Sequence, residues 1–113
     1  MKTPEEVEAQ LTLEIEAALK AGWKLRKGSF GSSALKNCCA LTAKFAVLDP
    51  LDQHAMNTMP LTNRLEEFGI EDSACLWSLV DGFDDHWNRL AEDRAWFAVG
   101  VRLRKKFEAV LSR

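Results

Sequence analysis

Tyrosine is absent from the chain, and proline, glycine and cysteine are sparse at three, six and three in 113 residues. So few breakers, together with 47% hydrophobic and 28% charged residues, exclude a disordered chain and fit one globular domain. The three cysteines, Cys38, Cys39 and Cys75, are odd in number and two are adjacent. Adjacent cysteines bridge only through a strained ring, which argues against a disulfide framework and for reduced thiols. Long hydrophobic runs are also missing: none approaches the ~18–20 residues of a membrane helix. The N-terminus is polar and acidic rather than a secretory signal, so the expected compartment is the cytoplasm.

What the chain does have is charge laid out in blocks. Residues 1–19 carry five acids and one base, and residues 20–44 carry six bases and no acid. Residues 45–93 carry eleven acids and two bases, and residues 94–113 carry six bases and one acid. Acidic and basic blocks alternate, and the net charge is only −2. In an antiparallel bundle such blocks can neutralise one another.

Helix signals run throughout. Thr3, Pro4 and Glu6 make a capping box with proline at the first helical position, and Val7, Leu11, Ile15, Ala18 and Leu19 follow at helical spacing. Gly22 closes that helix, predicted over 4–21. Trp23 and Leu25 alternate with Lys24 and Arg26 in strand fashion, but a lone strand has no partner, so residues 22–33 read as an extended loop. Ser32 or Ser33 caps a second helix to Leu48, with Leu35, Cys38, Leu41, Phe45 and Leu48 on one face, and Asp49-Pro50 ends it. A third helix runs from Pro60 to a Gly69 stop, with Ile70 folding back on Leu65. Asp72 or Ser73 caps a fourth, stopped by Gly82-Phe83. Asp84 or Asp85 opens a fifth, running to Leu111. The fold expected is all-α, a single-domain bundle of about five helices in which residues 60–111 form a helix-turn-helix-turn-helix unit.

The stretch Trp77-Ser78-Leu79-Val80-Asp81-Gly82-Phe83-Asp84, with Val99-Gly100 and Leu103-Arg104 on a later helix, resembles a pattern in small uncharacterised bacterial proteins. The resemblance covers about the C-terminal third of the chain. It implies a bacterial or phage origin and no particular activity. Read as residues, Gly82 permits a left-handed stop, Phe83 packs back and Asp84 caps.

Several constellations invite chemistry. Residues 60–82 resemble a helix-turn-helix, but its second helix presents Glu71, Asp72 and Asp81, which would repel phosphates. Lys24, Arg26 and Lys27 beside Trp23 and Phe30 offer the cation-and-aromatic mix of single-strand binders. Arg102, Arg104, Lys105 and Lys106 would join them if the blocks 20–44 and 102–106 share a face. The Gly/Ser loop 28–33 before a predicted helix could hold an anion, although it lacks a P-loop ending. Cys38, Cys39, Cys75, His54 and His86 have no metal-ligand spacing, and Cys38 and Cys75 fall on apolar faces as packing residues. Acid pairs such as Glu66-Glu67 and Glu92-Asp93 diverge on a helix and read as solvated faces. No metal or cofactor is expected.

Tryptophan is the remaining signal. Trp77 reads as core among Leu76, Leu79 and Val80. The fifth helix is apolar on two sides, one through Leu90, Phe97 and Val101 and the other through Trp96, Val99, Leu103, Phe107 and Val110. Such a helix is either central or covered by a partner. The function expected is therefore a non-enzymatic interaction protein that binds a partner protein or itself through Trp96, Val99, Leu103 and Phe107. The alternatives are a nucleic-acid-binding regulator using the basic blocks, and a small enzyme or anion binder at the 28–33 loop or Cys39.

Overall fold

The computed structural model describes residues 2–28, 30–54, 65–70, 72–85 and 94–112. Helix α1 spans Pro4–Lys20 and begins as predicted: the Thr3 hydroxyl accepts from the Glu6 N–H, and the Glu6 carboxylate accepts from the Thr3 N–H. Val7, Leu11, Ile15 and Ala18 are buried, so the sequence stripe is the core face. The helix ends where glycine can turn the chain. Gly22 has φ +88°, its N–H donates to Leu19 O at 3.1 Å, and the Trp23 N–H reaches back to Ala18 O at 3.0 Å. This double bond satisfies the last-turn carbonyls and packs Trp23 into the core.

The chain is mostly helical, as expected, but beyond Trp23 it is not purely α. Strands β1 (Lys24–Arg26), β2 (Gly31–Ser32), β3 (Asn37–Cys38) and β4 (Leu111–Ser112) form a small sheet in the order β2-β3-β1-β4. β1 is central, with β3 and β4 parallel on either side and β2 antiparallel to β3. Its neighbour β4 lies more than eighty residues away in the chain, which is why local pattern offered β1 no partner.

The second predicted helix is replaced by the β2–β3 hairpin and a 3-10 helix at Thr42–Val47. Cys38, Leu41 and Phe45 are buried as their spacing required, but Leu35 and Leu48 are exposed. The hairpin is fixed by backbone geometry instead. Gly31 has φ +84°, and a Cβ there would come within 2.6 Å of the Asn37 carbonyl carbon. The Ser32 N–H donates to Asn37 Oδ1 at 2.8 Å, giving the buried amide a partner.

Helix α2 is the short segment Pro50–His54, and α3 is Leu65–Phe68. Gly69, φ +70°, stops α3 as predicted: Ile70 N–H donates to Leu65 O and Gly69 N–H to Glu66 O, both at 3.3 Å. The expected start of that helix at Pro60 lies outside the described residues. Helix α4 (Ser73–Phe83) is capped by Asp72, whose carboxylate accepts from the Cys75 N–H at 2.9 Å.

Helix α5 (Arg94–Lys106) packs closely along α4. Gly82 is not the left-handed stop expected of it. It lies within α4, and the residue with positive φ is Asp85, at +65°. Gly82 and Gly100 instead let the two backbones meet. A Cβ on Gly82 would strike the Phe97 carbonyl oxygen, and one on Gly100 would strike that of Leu79. Asp84 and Asp85 form a turn, and the expected opening of the last helix just after them lies outside the described residues. Its far end also falls short of Leu111, since α5 stops at Lys106 and a 3-10 turn at Glu108–Val110 leads into β4. The buried apolar residues form one cluster joining α1, the sheet, α4 and α5.

Candidate interaction surface

The predicted docking stripe on α5 is core. Trp96, Val99, Leu103 and Phe107 are 9%, 0%, 1% and 8% exposed, because the chain's own elements, α4 among them, cover that face. Glycines at the α4–α5 crossing make that cover possible in a short chain, so no partner is needed to bury the stripe.

The basic blocks are divided by ion pairing. Arg102 Nη2 lies 2.6 Å from Glu8 Oε1, and Arg104 Nη2 lies 3.4 Å from Asp85 Oδ1 while its Nε donates to Gly82 O at 3.3 Å. Acidic and basic blocks thus neutralise one another at these two positions. Lys24, Lys105 and Lys106 are exposed, and Arg26 and Lys27 are half-buried. Pairing of β4 with β1 leads the chain beyond the basic end of α5 to the strand holding Lys24 and Arg26.

The 28–33 loop leads into β2 rather than into a helix, so it lacks the helix N-terminus that an anion site would use. Its Gly28 N–H donates to Asp84 Oδ1 at 2.8 Å, which means that the loop already holds an anion of its own chain. The thiols are packed away. Burial pushes Cys38 up to about 12 and also raises Cys39. Cys75 is buried as well. No group of three metal-ligating residues occurs among the described residues. The His54 side chain, His86, Trp87 and the Glu92-Asp93 pair lie outside the described residues.

A different surface is built around α4. Its buried positions Cys75, Leu76, Ser78, Leu79, Gly82 and Phe83 face inward. Trp77 lies off that stripe and is 40% exposed, contrary to its expected place in the core. Phe30 meets it with ring centroids 5.8 Å apart and planes tilted by 50°, a favourable geometry for an aromatic pair. Phe30 is held from behind: the Thr42 hydroxyl donates to Phe30 O at 2.7 Å and accepts from the Cys39 N–H at 2.8 Å. That hydroxyl also lies 3.5 Å from Cys39 Sγ, so the buried thiol helps to position it.

Beside this pair is a small crevice of about 10 Å³, lined by Phe30, Cys39, Leu41, Leu79, Val80 and Phe83 with Asp84. Pockets for small molecules and cofactors usually start near 300 Å³. The crevice is far smaller, with room for about one water molecule, so it is a dimple in the surface beside Phe30. Asp81 follows Trp77 by one helical turn and lies on the same side of α4. The sequence did carry a signal for this surface: Leu76, Leu79 and Phe83 recur at helical spacing, and Trp77 is out of step with them.

No helix among the described residues is long and apolar enough to cross a membrane. No family model matches the chain, and no curated protein or solved structure shows significant similarity to it.

Proposed function

We propose that this chain is a small non-enzymatic interaction protein that takes an apolar side chain of a partner protein against Trp77 and Phe30. The half-exposed Trp77, packed at a tilt against a pinned Phe30 on the outer side of α4, carries this reading. Tryptophan is among the residues most enriched at binding hot spots. Asp81 on the same side of α4 favours a partner segment whose apolar anchor is flanked by lysine or arginine. A cytoplasmic location is part of the proposal, supported by three buried cysteines that form no disulfide.

Selection of displayed random peptides on the immobilised protein tests the reading. Peptides with an apolar anchor and a flanking base are expected. Their affinity should fall by roughly 30-fold or more in Trp77→Ala, as for a hot spot worth about 2 kcal/mol, while circular dichroism stays unchanged. Ligands indifferent to Trp77 and Phe30 would contradict it. Retardation of a short DNA or RNA probe at low salt, without peptide binding, would favour the basic residues Lys24, Lys27, Lys105 and Lys106 instead.

A further inference from the structure

The outward face of α1 carries an unused pattern. Leu13 is 68% exposed on an otherwise regular amphipathic helix, directly opposite the buried Val7, Leu11, Ile15 and Ala18 stripe. A shallow depression lined by Leu13, Glu16, Ala17, Leu19 and Lys20 lies beside it. Glu6, Leu13 and Lys20 are seven residues apart, about two helical turns each, so they form one line along the helix. Ala9 and Ala17 flank Leu13 four residues to either side. The line is thus acidic at one end, apolar in the middle and basic at the other.

We propose that this face is a self-association seam, on which a second copy of the chain docks antiparallel about a two-fold axis at Leu13. Antiparallel pairing centred there sets Leu13 against Leu13, Ala9 against Ala17, and Glu6 against Lys20 twice. A parallel pairing would set like charges together at both ends. The small alanines leave room for each copy's Leu13 and permit a close helix approach. The contact is isologous, so it closes at two copies. It buries less than the ~800 Å² per partner of a standard stable interface, so the dimer is weak and reversible. It is independent of the contact at Trp77, which lies on another helix.

Sedimentation equilibrium over a wide concentration range tests the proposal. The average mass should climb from 12.7 kDa towards twice that value. Leu13→Lys should remain monomeric, Lys20→Glu should weaken association at least several-fold, and Glu6→Lys with Lys20→Glu should restore it. Because Glu6 also caps α1, a second reading avoids that residue. With facing Cα atoms about 5 Å apart at a ~10 Å axis separation, Leu13→Cys should crosslink to its own copy on oxidation, while Glu5→Cys should not. A wild-type protein that stays monomeric at about 1 mM, an association indifferent to Leu13→Lys, or Glu5→Cys crosslinking as well as Leu13→Cys would overturn it.

Discussion

Replacing Gly100 with alanine sets two effects of opposite sign against each other. In an isolated helix the change is stabilising by about 1 kcal/mol, since glycine has greater backbone freedom to lose. In this protein the new Cβ would collide with Leu79 O, and would lie 2.6 Å from Phe83 N and 3.0 Å from the Gly82 carbonyl carbon. All three obstacles are backbone atoms of α4, so no side-chain rotation relieves them. Ordinary carbon contacts sit at roughly 3.5–4.0 Å, so α4 and α5 must part by about 1 Å. That separation loosens the fully buried Leu79, Val99 and Leu103 together. Overpacking of this kind typically costs 1–3 kcal/mol, and a clash with fixed backbone belongs at the upper end. The net loss expected is about 2 kcal/mol, or a drop of roughly 1 M in the urea midpoint for an m-value near 2 kcal/mol/M. Urea unfolding followed by circular dichroism measures it. An unchanged or raised midpoint would mean that the helices do not cross at Gly100 and would refute the packing described.

Four further outcomes follow from local geometry. The thiols Cys38, Cys39 and Cys75 should resist Ellman's reagent in the native protein at pH 8 and react fully in denaturant, since all three are buried. Cys38 rises from an ordinary value of 9.0 to about 12, so the folded state keeps a proton that the unfolded state loses. The resulting stability is fully present below pH 9 and is lost as pH rises towards 12, which alkaline unfolding curves will show. The Asp72 carboxyl is held below its ordinary value by the Cys75 N–H, so its contribution is present at neutral pH and lost as pH falls through the folded value. Asp72→Asn keeps an acceptor for the cap and should flatten that part of the acid unfolding curve. Finally, Asn37→Ala removes the acceptor of the Ser32 N–H, and thermal unfolding should report a loss of ~1–3 kcal/mol for the orphaned donor.

Local chemistry was legible in the sequence, and distant pairing was not. The α1 capping box and the glycine turns at Gly22 and Gly69 follow from a few adjacent residues, and each formed as those residues require. The sheet depends on β4 reaching β1 across most of the chain, which no window of residues contains. Residues 33–48 misled because Cys38, Leu41 and Phe45 satisfy a helical period by coincidence while the Gly31–Asn37 contact dictates a hairpin. At the proposed interaction surface Trp77 and Trp96 took each other's expected places. Trp96 is buried within its own chain, on the helix that Gly82 and Gly100 allow to lie close against α4. Trp77 instead meets Phe30 at the surface, from a loop whose path the sequence did not reveal.

The most direct test of the interaction surface is a titration of ¹⁵N-labelled protein with a selected peptide, read by amide and indole chemical shifts. The account predicts that the Trp77 indole and the amides of Phe30, Val80 and Asp81 move first and saturate together. Shifts confined to the basic end of α5 and β1, with the Trp77 indole unmoved, would contradict it.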